Sequence, residues 1–209
     1  MSNLFFYYSA MNAGKTTMLL QSSYNYQERG MQTLLFTPDF DNRSEIGVIA
    51  SRIGLKIKAF PFSRDFNFYE YVRQRLEKPN HNIRCILIDE AHFLTKAQVK
   101  QLTHICDDLK LPVLCYGLRS DFQGEPFEGS KYLLILAEKL VELKTICFCG
   151  RKATMNLRVD KNGLPIREGA QVEIGGNDSY IAMCRRHFNH AIEGNLAEID
   201  PIQIKEVVA

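Results

Sequence analysis

The sequence predicts an α/β protein: a mainly parallel sheet with helices on both faces, followed by a small C-terminal β-hairpin (ribbon) unit. Three observations carry that reading. Strand-like and helix-like segments alternate from Leu4 to about Ile146, the pattern of right-handed βαβ units. The loop Ser9-Ala10-Met11-Asn12-Ala13-Gly14-Lys15-Thr16 joins the first strand to the first helix, which makes the larger unit P-loop NTPase-like. Past Ile146 the long helical segments give way to short strand-like runs bracketed by Cys and His.

In chain order, the apolar and aromatic run Leu4 to Tyr8 reads as the first strand, and Lys15 to Arg29 as the helix that follows its loop. Thr33 to Thr37 is the second strand. Phe40 to Ser51 is polar and weakly periodic, and reads as a mobile connection. Leu55 to Ala59 is the next strand and Phe66 to Glu77 the next helix. Arg84 to Ile88 is an apolar run of the kind buried in a parallel sheet, and Asp89 and Glu90 end it. Thr95 to Leu109 is a helix, Val113 to Tyr116 a strand, Ser130 to Lys139 a helix and Val141 to Ile146 a strand. Ala153 to Val159 then turns at Asp160-Lys161-Asn162-Gly163, a strong hairpin signal, and returns through Ile166 to Ile174. The units are therefore residues 1–146, residues 147–190 and a tail of residues 191–209 with no legible motif.

At 209 residues, 45% of them hydrophobic and 24% charged, the chain can bury one full core and carry a small satellite. No apolar run approaches the roughly 20 residues that a membrane span requires. The N-terminus has no basic segment ahead of an apolar one, so the expected setting is the cytoplasm, with no membrane partner. A formal net charge of +2 provides no extended positive field, which argues against a nucleic acid polymer and for small substrates.

Chemistry enters at two places. Backbone N–H groups of the Ser9 to Thr16 loop, with the positive end of the next helix, suit phosphate oxygens; Lys15 adds a charge and Thr16 a hydroxyl for Mg²⁺. Ser9 stands where the first Gly of G-x-x-x-x-G-K-[ST] is usual, so Gly14-Lys15-Thr16 could also be a plain helix start. Asp89, at the C-terminal edge of the sheet, could reach the Mg²⁺ shell opposite Thr16, and Glu90 could take a proton from the group attacking the γ-phosphate. The competing reading is an acidic pair that caps the helix near Thr95 to Leu109. Taken together, the motifs point to an ATP-using phosphoryl-transfer or hydrolysis site.

The hairpin unit is too small to bury much apolar surface, and its cysteines suggest what holds it. Cys147-x-Cys149 and Cys184-x2-His187, with 34 residues between the pairs, form a tetrahedral Zn²⁺ set. With all four positions filled by protein the metal would be structural. Two disulfides or scattered thiols are the alternatives, and His190 is a competing ligand. Cys85, Cys106 and Cys115 stand singly in apolar segments and read as inert core residues; His81, His92 and His104 read as ordinary surface or core histidines.

With the zinc set beside the nucleotide loop, the chain resembles the type II (cytosolic, zinc-containing) thymidine kinases, and is similar to their enterobacterial branch. The resemblance runs from about Leu4 to Phe188. It is carried by Ser9 to Thr16, Asp41-Asn42-Arg43, Ile88 to Ala91, Gly117 to Phe122, Cys147 to Ala153, and Ile174 to Tyr180 leading to Cys184 and His187. It implies transfer of the γ-phosphoryl group of ATP to the 5′-hydroxyl of thymidine or deoxyuridine, with Glu90 as general base and Asp89 and Thr16 serving Mg²⁺. Asp41, Arg43 and Arg158 match positions near the transferred phosphate. Met11, Leu118, Phe122 and Tyr180 match the nucleoside pocket, and the backbone of Gln171, Val172, Glu173, Ile174 and Gly175 matches the loop that covers the base. The resemblance also implies a homotetramer inhibited by the end product dTTP. Zinc then ties both ends of the hairpin that carries the substrate loop, so metal loss is expected to unfold that lid without touching the ATP loop.

Two other classes compete. Asp89-Glu90-Ala91-His92 also spells the DEAH signature of a helicase family, but such motors close ATP between two α/β domains, and this length holds one. A binding protein that uses ATP as a switch is the other; a base one residue past the Mg²⁺ acid is superfluous there.

Overall fold

Whether a strand needs covering on one face or both decides how its residues alternate, and here the sheet strands are apolar on both. The computed structural model describes residues 2–41, 45–171 and 179–194. The chain runs β1 (Leu4–Ser9), α1 (Lys15–Gln27), β2 (Gln32–Pro38), β3 (Val48–Ala50), β4 (Lys56–Lys58), β5 (Phe60–Phe62), α2 (Phe68–Leu76) and β6 (Ile83–Ile88). A 3₁₀ turn, Ala91–Phe93, leads to α3 (Lys96–Asp107), β7 (Val113–Leu118), α4 (Glu128–Leu136) and β8 (Lys139–Glu142). The remainder is β9 (Thr145–Ile146), β10 (Lys152–Ala153), β11 (Met155–Val159), β12 (Ser179–Met183) and α5 (Arg185–Glu193).

Six strands form one sheet in the order β5-β2-β6-β7-β1-β8, and every pairing in it is parallel. Period-two alternation divides their side chains between two cores. Leu4, Phe6, Ile86, Ile88, Val113 and Cys115 face α2, α3 and α4. Leu35, Cys85, Leu87, Leu114 and Tyr116 face Leu19 and Leu20 of α1. On α3, Val99, Leu102, Ile105 and Cys106 recur at helical spacing and are fully or nearly fully buried. Truncating Leu102 to Ala would cost about 2–5 kcal/mol, the range for a buried leucine. The other face is held partly by hydroxyls: Ser23 Oγ and Thr33 Oγ1 are 2.8 Å apart, tying α1 to β2, and Ser22 Oγ lies 3.1 Å from the Tyr116 hydroxyl. Among the described residues, no helix is long and apolar enough to cross a membrane.

Three expectations are corrected. Leu55 to Ala59 does not enter the main sheet: Lys56–Lys58 pairs antiparallel with Val48–Ala50, inside the stretch expected to be an unstructured connection, and the sheet edge is Phe60–Phe62. The lysines flanking Ile57 suit an exposed ribbon, while Phe60 and Phe62 can be buried against β2 and α2. Val141 to Ile146 is not one strand: β8 ends at Glu142 beside β1, and Thr145–Ile146 pairs with Lys152–Ala153 around the cysteines. Finally, the Asp160 to Gly163 turn forms and the return starts to pair, with the Asp160 N–H donating to Leu164 O and the Ile166 N–H to Arg158 O at 2.9 Å each and Val159 bridged to Pro165, but among the described residues no full partner strand follows. Met155–Val159 pairs instead with Ser179–Met183. The local Asn-Gly signal fixes a turn and cannot choose between partners farther along the chain.

Candidate active site

Parallel strands deliver their C-terminal ends to one edge, and here β1, β6 and β7 each end in a loop that carries functional groups. Gly14 caps α1 with φ 78° and ψ 19°, the left-handed conformation, and no side chain caps the helix. A Cβ at Gly14 would meet nothing within 4 Å, so backbone conformation rather than space demands glycine there. Lys15 is buried, and its Nζ donates to Ser9 Oγ and to Ala10 O, both at 3.0 Å. The serine at the usual glycine position thus holds the lysine of the same loop.

At the end of β6, Glu90 adopts φ 48° and ψ 39°, an unfavourable region for a side chain of its type, worth about 1–2 kcal/mol. Its N–H donates to Asp89 Oδ1 at 3.1 Å. The acidic pair does not cap α3. That helix has its own capping box, in which Gln98 N–H donates to Thr95 Oγ1 and Thr95 N–H to Gln98 Oε1.

Around these ends lies a cavity of about 410 Å³. Met11 to Thr17 line it, as do Asp41, Glu90, His92 and Phe93. Leu118, Phe122, Gln171 and Tyr180 belong to the same lining. Of the residues expected from the sequence, Met11, Asn12, Ala13, Gly14, Lys15, Thr16, Asp41, Glu90, Leu118, Phe122, Gln171 and Tyr180 therefore come together. Ser9, Ala10 and Asp89 are buried behind the lining. Arg158 is 3% exposed on β11 and stacks its guanidinium over the Phe122 ring at 5.1 Å, outside the lining. Arg43 and Val172, Glu173, Ile174 and Gly175 lie outside the described residues, as does the tail beyond 194.

Sequence reasoning passed over several wall residues. His92, expected to be an ordinary histidine, is 3% exposed and lines the cavity, and its Nδ1 lies 3.4 Å from Glu90 Oε2. Asp121 accepts the N–H groups of Gln123 and Glu125 at 2.9 Å each and the side-chain amide of Gln171 at 2.8 Å, which ties Gln171 to the loop after β7. Asn156, on β11, also lines the cavity, and its Oδ1 accepts the Met11 N–H at 2.7 Å. The loop after β1 and β11 of the hairpin unit are thus in direct contact. A lone Asn in a short strand carries no motif that could have flagged it.

In the hairpin unit, Cys147, Cys149, Cys184 and His187 bring one ligand atom each to within 4.8 Å of one another, and His190 is not in the set. Cys149 Sγ lies 3.9 Å from Cys184 Sγ, and Cys147 Sγ 3.4 Å from His187 Nδ1. A zinc tetrahedron with ordinary bond lengths has S···S edges of about 3.8 Å and S···N edges of about 3.6 Å, so these two edges match the ion and the donor types fit it. The knuckle is preorganised: Gly150, with φ 80°, donates its N–H to Cys147 O at 2.8 Å, and Cys147 N–H donates to Arg151 O at 2.7 Å. Phe148 stacks flat on His187 at 4.5 Å. The three remaining cysteines are buried in the α/β core, where burial pushes Cys85 and Cys106 up to about 12 and Cys115 well above its usual range.

Comparison with known proteins agrees with this geometry. The thymidine kinase family model matches residues 2–188. The thymidine kinase of Zymomonas mobilis is 61% identical over 189 residues, covering 90% of this chain and 96% of its own. That of Coxiella burnetii is 61% identical over 188 residues, 90% of this chain and 95% of its own. That of Salmonella typhimurium is 56% identical over 200 residues, 95% of this chain and 97% of its own.

Proposed function

The chain belongs to the thymidine kinase family, and from that premise we propose how its residues carry out the reaction. It is an ATP-dependent phosphotransferase that moves the γ-phosphoryl group to the 5′-hydroxyl of thymidine, and of deoxyuridine, in pyrimidine salvage. The observation that carries the reading is one cavity in which the Lys15 loop, the Glu90 carboxylate and the Phe122 and Tyr180 rings all take part.

The triphosphate lies along Met11 to Thr16, where backbone N–H groups and the start of α1 offer positive potential to its oxygens. Lys15 exchanges its contacts with Ser9 and Ala10 for phosphate oxygens and spreads charge off the transferred group. Thr16 and Asp89, a hydroxyl and a carboxylate, are oxygen donors of the kind that would hold Mg²⁺, and the ion would supply charge neutralisation at the phosphates. Glu90 accepts the 5′-hydroxyl proton as that oxygen attacks. Phe122 and Tyr180 stack on or flank the flat base, and Leu118 and Met11 complete an apolar slot. Asp41, Arg43 and Arg158 act near the phosphates, and residues 172–175 close over the base.

Residues 1–146 are the ATP-binding part and residues 147–190 the zinc-held part with the covering loop. Zn²⁺ at Cys147, Cys149, Cys184 and His187 is structural, since four protein ligands leave no position for water. Homotetramer assembly, inhibition by dTTP and a cytoplasmic setting complete the reading. The test is transfer of labelled γ-phosphate from ATP and Mg²⁺ to thymidine, with deoxycytidine and no-nucleoside controls on zinc-assayed protein. Thymidine-dependent product supports the kinase, whereas ATP hydrolysis indifferent to thymidine would favour a motor or a switch.

A further inference from the structure

The zinc-held unit and the nucleotide loop meet through one buried side chain. Asn156 is 2% exposed. Its Oδ1 accepts the Met11 N–H at 2.7 Å, and its Nδ2 donates to Ser120 O at 3.3 Å. It therefore joins three segments: the loop after β1, the loop after β7, and β11 itself. A carboxamide can accept from an amide N–H and donate to a carbonyl at the same position; an aspartate keeps only the first of these and a leucine neither.

Its placement on β11 is fixed by metal ligands on both sides. Asn156 pairs with Ala182 of β12, two residues before Cys184, and β11 follows the Cys147 to Cys149 knuckle by way of β10. Among the described residues the unit's own core is small, nine buried residues that include two of the ligand cysteines. Without the ion that core has little else to fix the register of β11 against β12.

We propose that Asn156 is a positioning residue through which the zinc site sets the conformation of the nucleotide loop, so that zinc occupancy controls ATP affinity as well as nucleoside binding. Met11 is followed by Asn12 at φ 62° and Gly14 at φ 78°, so the loop contains two left-handed residues within three positions of the bond. Fixing the Met11 peptide orients those that follow it, Asn12 to Thr17, which line the cavity. The proposal rests on the reading that this loop holds the ATP phosphates.

The test is calorimetric binding of a non-hydrolysable ATP analogue with Mg²⁺, in the absence of thymidine, to zinc-loaded wild type, Asn156→Leu and Asn156→Asp. Loss of the buried bond is expected to weaken binding about tenfold in Asn156→Leu, at unchanged zinc content. Asn156→Asp, which keeps the acceptor for Met11, is expected to recover most of that loss; a merely structural role would leave both variants alike. Analogue binding by Asn156→Leu equal to wild type would overturn the proposal, and so would equal weakness of the two variants. Hydrogen exchange on the wild-type protein gives a readout that needs no variant. The Met11 amide is expected to be protected with zinc and to exchange rapidly once zinc is chelated, and continued protection while the β11 amides open would overturn the link. If wild type binds no analogue, the nucleotide-loop reading fails instead, and hydrogen exchange still decides the link.

Discussion

His92 presents its Nδ1 to two groups at once: the Leu118 backbone nitrogen at 3.3 Å and Glu90 Oε2 at 3.4 Å. The amide N–H can only donate, so in that arrangement Nδ1 is an acceptor and the ring is neutral, with its proton on Nε2. Protonation places a hydrogen on Nδ1, which breaks the amide contact and gives the carboxylate proposed as the base a donor. The ring has little room to move, because it packs against Phe127 at 4.5 Å and Phe93 at 4.0 Å. His92→Gln supplies an acceptor for the amide without a titrating ring. We expect the acid side of its kcat profile to become shallower, with activity at neutral pH within about threefold of wild type, since the base itself remains. An unchanged profile would show that His92 takes no part in the titration.

Glu90→Gln is nearly the same size and should keep the cavity intact, yet it cannot take a proton. We expect ATP-analogue binding within about twofold of wild type and a fall in kcat of about 10²–10⁴, the usual contribution of a general base. Comparable turnover by the variant would remove Glu90 from that role.

Two glycines should fail for different reasons. Gly14→Ala meets open space but must hold φ 78°, costing about 1–2 kcal/mol, mostly at the nucleotide loop. Gly129, in the first turn of α4, has ordinary φ, but a Cβ there would lie 2.5 Å from Ala91 O and 2.8 Å from His92 O. Neither backbone atom can yield without moving the turn that carries Glu90 and His92. Gly129→Ala should therefore lower the melting temperature more than Gly14→Ala, while Gly14→Ala should lose nucleotide affinity at a smaller stability cost. Thermal melts with and without the ATP analogue separate the two.

The parallel core was legible because its strands are long apolar runs that bury both faces, as Arg84 to Ile88 does, and because α3 carries an apolar stripe. The loop around Lys15 and the cluster of Cys147, Cys149, Cys184 and His187 were legible because each sets fixed residue types at short spacing, so they declare themselves locally. What sequence could not supply was partner choice between segments. Phe60–Phe62 won the sheet edge from Leu55 to Ala59 through burial against Phe36 and Phe68, a tertiary fact. Met155–Val159 likewise pairs with a strand that starts twenty residues past its own end. His92 and Asn156 escaped notice for the same reason: their significance lies in Glu90 and Met11, which only the folded chain brings to them.

Removal of zinc should sort the six cysteines into two groups. Cys147, Cys149 and Cys184 converge at the metal set, whereas Cys85, Cys106 and Cys115 are held within the α/β core and raised in pKa by burial. A thiolate is the reactive form, so the core thiols stay slow at neutral pH as long as the sheet is folded. Chelation followed by brief alkylation is expected to label the three zinc cysteines and spare the other three, with the helical circular dichroism signal largely retained. Labelling of all six together would mean that the sheet unfolds with the hairpin unit, and that the metal stabilises the whole chain. Because Asn156 joins β11 to Met11 and Ser120, some loosening should still reach the loops after β1 and β7, short of opening the strands that shield Cys85 and Cys115.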